Sequence, residues 1–230
     1  MERNIAENLE TVRVDIAESV RRSGRLAGSV ELIAVSKTHP PEIVRQAVDA
    51  GQLLFGENRV QEAKAKIPDL PAKLRWHLIG HLQTNKIRQA LPLFEVIHGV
   101  DSVELLHEIQ RIAGDLGLYP RVLLQVNVAG ESSKYGFSPQ RLLSEVEQIS
   151  RADRIQVEGL MTIPPLASSA EDSRRYFVQL RTLRDRLEAE FQFPLPHLSM
   201  GMSSDYRVAV EEGATYVRVG TAIFGERRAK

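Results

Sequence analysis

At 230 residues and 43% hydrophobic content, the sequence has enough apolar material for one substantial core and none of the bias of a disordered or fibrous chain. Thirty Lys plus Arg balance thirty Asp plus Glu, so the overall field gives no reason to expect nucleic acid as a partner. Cysteine is absent, which excludes disulfides, thiolate nucleophiles and cysteine-based zinc sites and fits a reducing compartment, so a cytoplasmic location is expected.

The N-terminal Met1-Glu2-Arg3-Asn4-Ile5-Ala6-Glu7 carries charge where a signal peptide needs an apolar core, and no apolar run is long enough to span a bilayer. A soluble, unprocessed protein without membrane contact is expected. Ile5, Leu9, Val12, Ile16 and Val20 recur every three or four residues and predict an amphipathic helix over 2–24, closed by Gly24. Short apolar runs then follow at 32–36, 53–55, 76–79, 96–100, 122–128, 157–163, 198–200 and 216–219, which predict eight strands. Between them lie helical patterns at 41–50, 102–116, 138–150 and 170–190, with Pro41 and Pro139 near first-turn positions where a missing N–H costs little.

Such alternation predicts parallel strands joined by crossover helices, and a run such as Val122-Leu123-Leu124-Gln125-Val126 suits a strand covered on both faces. The fold class is therefore α/β, read as a single (β/α)8 barrel of the TIM type with an extra N-terminal helix. A doubly wound open sheet is the alternative that periodicity does not separate from it. No repeat, linker or low-complexity stretch divides the chain, so residues 1–230 are taken as one domain.

In such a barrel the working residues lie where strands give way to loops. Lys37 follows Leu32-Ile33-Ala34-Val35-Ser36, a run that carries it to the edge of the core. Desolvation lowers a lysine pKa from about 10.4 by several units and leaves a neutral amine able to attack an aldehyde. A solvated lysine opening a loop is the alternative. Gly201-Met202-Ser203-Ser204 and Gly220-Thr221-Ala222 follow the last two strands, where small residues and hydroxyls let backbone N–H groups close around a phosphate. The same residues would also serve as ordinary helix caps. Arg218 sits inside Tyr216-Val217-Arg218-Val219, where a permanent charge needs either a carboxylate such as Glu57 or Asp205 or a ligand atom to receive it. His77 and His81 straddle a strand end and do not have helical metal-ligand spacing, so no metal site is expected. Ser203, Asp205 and the histidines carry no nucleophile-elbow signature.

The segments Ala34-Val35-Ser36-Lys37-Thr38, Phe55-Gly56-Glu57-Asn58-Arg59-Val60-Gln61-Glu62, Trp76-His77-Leu78-Ile79-Gly80-His81, Leu160-Met161-Thr162, Leu198-Ser199-Met200-Gly201-Met202-Ser203 and Val217-Arg218-Val219-Gly220-Thr221 closely resemble the pyridoxal phosphate homeostasis protein family, also called YggS or PROSC proteins. The resemblance runs nearly end to end. It implies the barrel of the alanine racemase N-terminal domain, pyridoxal 5'-phosphate as cofactor, and a Schiff base on Lys37. It further implies a phosphate cradle of Ser203, Gly220 and Thr221, with Ser199 and Met200 on the same rim. Arg218 resembles the arginine that contacts the pyridine nitrogen, and Asn58 a polar contact beside the cofactor. A guanidinium only donates, so it disfavours a proton on the ring nitrogen and leaves the ring a poor electron sink.

What the resemblance implies is a non-catalytic carrier of vitamin B6, acting on amino-acid balance, with pyridoxal-phosphate-requiring apoenzymes as candidate recipients. The alternative is a pyridoxal-phosphate-dependent amino-acid racemase lacking a second base, since five residues after Gly225 are expected to supply no further domain. A Schiff-base aldolase without cofactor is the third reading. Racemases of this fold dimerise partly to complete a site, so a monomer is expected here. The loop Glu131-Ser132-Ser133-Lys134-Tyr135-Gly136 suits a lid or a docking surface equally.

Overall fold

The computed structural model describes residues 4–131 and 134–226. Its eight strands are β1 (Glu31–Val35), β2 (Leu54–Glu57), β3 (Arg75–Leu78), β4 (Val96–Val100), β5 (Arg121–Gln125), β6 (Gln156–Met161), β7 (His197–Ser199) and β8 (Tyr216–Val219). They close in sequence order, every pair parallel, with β8 returning to β1 through the register Ala34↔Val219. The closed barrel, rather than the open sheet, is the architecture.

The helices are α1 (Ile5–Arg22), α2 (Pro41–Asp49), α3 (Val60–Lys66), α4 (Ile87–Ala90), α5 (Val103–Leu116), α6 (Pro139–Ser150), α7 (Ala170–Phe191), α8 (Tyr206–Glu211) and α9 (Thr221–Phe224); all follow strands of the barrel save α1, which precedes the first. Helix α1 buries the stripe Ile5, Leu9, Val12, Ile16 and Val20 expected of it, each side chain worth roughly 1.5–3 kcal/mol of transfer free energy before entropy is counted. The Asn4 side chain caps it by accepting the Glu7 N–H at 3.1 Å. Ser138 and Ser169 cap α6 and α7 in the same way, the latter in a reciprocal capping box with Asp172. These local signals explain why the element starts were readable.

Two strands stop earlier than their apolar runs suggest. β5 ends at Gln125, after which Val126 makes only an isolated bridge to Phe137, and β6 ends at Met161. In both, the chain leaves the sheet to form the barrel mouth; beyond β5 Val126 stays buried, whereas beyond β6 Ile163 is exposed.

Strand side chains alternate between two cores. Ile33, Val35, Leu54, Ile79, Val96, Leu123, Met161 and Tyr216 fill the barrel interior, while Ala34, Phe55, Leu78, Ile97, Leu124, Leu160 and Val217 meet the helices. The inward series also carries polar residues: His77, His98, Gln125, Ser199 and Arg218 are all buried. They form the floor of the site.

Candidate functional site

The C-terminal ends of β1 and β8 leave the barrel side by side. Lys37 stands half-buried in the turn that follows β1, closed by the His39 N–H donating to the Ser36 carbonyl at 3.1 Å. The next residue, Thr38, has φ +66, a left-handed conformation that a β-branched residue adopts only under strain. Its N–H is held by the Glu62 carboxylate at 3.2 Å. Asn occupies this region far more readily, so Thr38→Asn is expected to raise stability by about 1 kcal/mol, roughly 2–4 °C in melting temperature for a chain of this size. A melting temperature that stays put or falls in calorimetry would show the turn to be unstrained.

Beneath this turn lies a buried ion pair. Lys66 Nζ donates to Glu57 Oε1 at 2.5 Å and to the Ser36 carbonyl at 2.8 Å, and the Ser36 hydroxyl donates to the same Glu57 oxygen at 2.7 Å. The backbone ahead of Lys37 is thus tied to the end of β2. Burial pushes the Glu57 carboxyl up, and the Lys66 charge pulls it part of the way back. Its second oxygen, Oε2, is buried with no hydrogen-bond partner among the described residues.

The cradle lies beside Lys37. A Cβ built on Gly220 would sit 3.3 Å from the Val35 Cβ, so the loop after β8 abuts the end of β1. Ser203 Oγ accepts the N–H groups of Gly220 and Ala222, each at 3.2 Å, which joins the loops after β7 and β8 into one pocket wall. Gly201 enters that loop at φ +90, where a Cβ would lie 2.5 Å from the Ala209 Cβ, so the tight turn requires glycine. Helix α1 braces the wall from outside: Asn8 Nδ2 donates to the Ile223 carbonyl at 2.9 Å, and Asp15 accepts from Tyr206 Oη at 2.6 Å. The His39 ring packs 4.9 Å from Phe224, linking the Lys37 turn to α9.

Arg218 forms the floor and is almost wholly buried. Nη1 donates to Ser199 Oγ at 2.5 Å and Nη2 to the Thr162 carbonyl at 2.9 Å. Neither carboxylate that the sequence offers pairs with it: Glu57 is held by Lys66 and Ser36, and Asp205 accepts the Met202 N–H at 2.7 Å. Burial, with no carboxylate paired to it among the described residues, pushes the guanidinium down to about 10, against a smaller opposing effect of the Asp205 charge.

The other residues singled out in the sequence sort by backbone direction. Asn58 is half-buried at the end of β2, and its carbonyl approaches Gly80 so closely that a Cβ there would lie 2.3 Å away. Ser199 points inward to Arg218, whereas the Met200 side chain faces outward into the helix-side core, which leaves only its main chain for a ligand. Thr221 is exposed at the rim. In the loop that suits a lid, Tyr135 stacks on His81 with ring centroids 4.1 Å apart, while Ser132 and Ser133 lie outside the described residues. Among the described residues no group of three or more His, Asp or Glu side chains is arranged to hold a metal, and no helix is long and apolar enough to cross a membrane.

Sequence reasoning missed Lys66 and His98. Lys66 falls on the buried face of α3 with Val60 and Ala63, at spacing three, so a lysine in an apolar register was the available signal. His98 occupies an inward position of the fully buried β4.

The donor set suits a phosphorylated aldehyde: an amine at the rim, main-chain N–H groups and hydroxyls beside it, and a donor-only cation below. Residues 13–228 match the family described as alanine racemase, N-terminal domain. A pyridoxal phosphate homeostasis protein of Aquifex aeolicus is 45% identical over 226 residues, spanning 98% of this chain and 99% of that one. The structure of PipY from Synechococcus elongatus PCC7942 with PLP bound is 46% identical, covers 96% of this chain and 100% of its own, and superposes with a TM-score of 0.84. An alanine racemase of Clostridium difficile is 18% identical at a TM-score of 0.74 and shares the fold, the match covering 98% of this chain and 57% of that one. The chain therefore belongs to the pyridoxal phosphate homeostasis protein family, within the alanine racemase N-terminal domain group.

Proposed function

We propose that this chain is a non-catalytic carrier of pyridoxal 5'-phosphate that serves vitamin B6 homeostasis and amino-acid balance. The observation that carries the reading is the convergence of the Lys37 turn, the Ser203 cradle and a buried arginine with no paired carboxylate at one barrel mouth. Lys37 Nζ adds to the cofactor aldehyde and water leaves, giving a Schiff base that hydrolysis or exchange with another amine reverses. Ser203, Gly220 and Thr221 hold the phosphate, with the Met200 main chain on the same rim. Arg218, steadied by Ser199, faces the ring nitrogen, and Asn58 contacts the cofactor from the β2 side. Residues 1–230 act as one cytoplasmic domain, a monomer whose recipients are pyridoxal-phosphate-requiring apoenzymes. Sedimentation equilibrium at micromolar concentration tests the monomer.

The reading is tested by borohydride reduction of the cofactor-incubated protein, followed by intact mass and peptide mapping. One pyridoxyl phosphate adduct on Lys37 is expected; an unmodified mass, or an adduct elsewhere, refutes it.

Arg218 gives an independent check. A buried cation without a carboxylate is retained at a cost in stability, but its removal also strands the buried Thr162 carbonyl, so Arg218→Met is expected to lower the stability of the ligand-free protein by no more than about 1 kcal/mol in denaturant titration. Cofactor affinity should fall about 100-fold, the loss of one charge-assisted hydrogen bond. A large loss of stability with unchanged affinity would make Arg218 a structural residue.

A further inference from the structure

We propose that His98 and His77 are positioning residues for Arg218: a one-way chain of hydrogen bonds across the barrel interior fixes the guanidinium and keeps its charge uncompensated, so that the bound cofactor's ring nitrogen stays unprotonated. The inference rests on the cofactor reading above and adds to it the residues that set the ring's protonation state.

The chain runs over four strands. Arg218 Nη1 reaches Ser199 Oγ at 2.5 Å, Ser199 Oγ lies 2.8 Å from His98 Nδ1, and His98 Nε2 lies 3.0 Å from His77 Nδ1. His77 Nε2 is buried without a hydrogen-bond partner among the described residues, and its ring packs edge to face with Tyr216, centroids 5.3 Å apart. All four members are buried.

The direction follows from what each group can do. A guanidinium only donates, so Ser199 Oγ accepts from Arg218. If Ser199 donates its hydrogen to His98 Nδ1, then His98 Nε2–H donates to His77 Nδ1, and the one group left over is the His77 Nε2–H beside Tyr216. The reverse arrangement has His77 Nδ1–H donating to His98 and His98 Nδ1–H donating to Ser199. It leaves two groups over, a bare His77 Nε2 and a serine hydrogen with no acceptor among the described residues. The forward direction is therefore favoured.

Both imidazoles must be neutral for the chain to exist, since a doubly protonated His98 has no lone pair for the Ser199 hydrogen. The interior enforces this: burial pushes His77 down to about 3 and His98 well below its ordinary value. With a neutral acceptor at Nη1 and the Thr162 carbonyl at Nη2, the guanidinium plane is pinned at two points without meeting a negative charge. A carboxylate in the place of Ser199 would pin it equally well and cancel the field that opposes ring protonation.

The test has two arms. In the ligand-free protein, 15N-detected NMR of the histidine rings should show His98 and His77 both as neutral Nε2–H tautomers near pH 7; an Nδ1–H tautomer or an imidazolium at either position overturns the chain. In the second arm, protein loaded with 15N-labelled pyridoxal phosphate is compared with His98→Leu and with His98→Asn, whose amide oxygen keeps an acceptor toward Ser199. His98→Leu should weaken cofactor binding about tenfold and move the pyridine 15N resonance toward the protonated value, while His98→Asn should restore both to within about twofold of the parent. Equal behaviour of the two variants would make His98 a packing residue and overturn the proposal. Should the parent bind no cofactor, the carrier reading fails instead, and the tautomers still decide whether the chain exists.

Discussion

Lys37→Ala is expected to abolish the visible absorption band of the cofactor-loaded protein and to leave its mass unchanged after borohydride reduction. The substitution removes the nucleophile while the cradle keeps every contact on which it depends, since Ser203 is held by Gly220 and Ala222 and Arg218 by Ser199 and Thr162. Residual non-covalent binding about 100-fold weaker is therefore expected, equivalent to roughly 2.7 kcal/mol. The half-buried turn tolerates alanine, so the folded fraction should be unaffected. Retention of the band would assign the Schiff base to another amine. Lys66, which reaches the Ser36 carbonyl just ahead of the turn, is one such amine, but it is committed to Glu57 and that carbonyl.

How much of this was legible in the sequence differs between fold and site. The α/β alternation was readable because the strands are short apolar runs and the longer crossover helices begin with chemistry that needs no tertiary context, such as Pro41, Ser138 and the Ser169–Asp172 box. Closure was not, since apolar runs suit an open parallel sheet equally well; the pairing of β1 with β8 is a long-range fact. In the site, Lys37 and Arg218 stood out as charges attached to apolar strands, whereas the partners that govern them did not. Lys66 lies in a stretch read neither as strand nor as helix, and His98 in a hydrophobic strand run. Arg218 was legible as an anomaly and not as an answer: the sequence offers Glu57 and Asp205 as plausible partners, and only their prior commitments in space show that neither is available. Met200 illustrates the opposite limit, because adjacency to Ser199 says nothing about facing, and alternation sends its side chain to the other side of the strand.

Lys66→Met should destabilise the fold more than any of the substitutions above, with the sign of its pH dependence as the distinguishing mark. Removing one partner of a buried ion pair leaves an uncompensated charge and costs about 3–5 kcal/mol, equivalent to a melting temperature lower by roughly 6–20 °C for a chain of this size. Burial already holds the Glu57 carboxyl above its ordinary value, and without Lys66 nothing of comparable strength opposes that shift. A carboxyl whose pKa is higher folded than unfolded binds its proton more tightly in the native state, so its stabilising contribution is present in acid and is lost as pH rises through the folded value. The variant should therefore lie closest to the parent near pH 5 and fall progressively behind it as the pH rises. Combining Lys66→Met with Glu57→Gln removes the charge altogether and should recover most of the loss at neutral pH, as apolar or neutral replacements of buried pairs do. Chemical denaturation at several pH values measures all three proteins. A defect that is independent of pH, or a double variant no better than the single one, would mean that Lys66 acts through packing and through the Ser36 carbonyl rather than through the Glu57 charge. In that case what Lys66 gives the turn carrying Lys37 would be its bond to the Ser36 carbonyl alone, and Lys66→Gln, which keeps a donor without the charge, should match the parent instead.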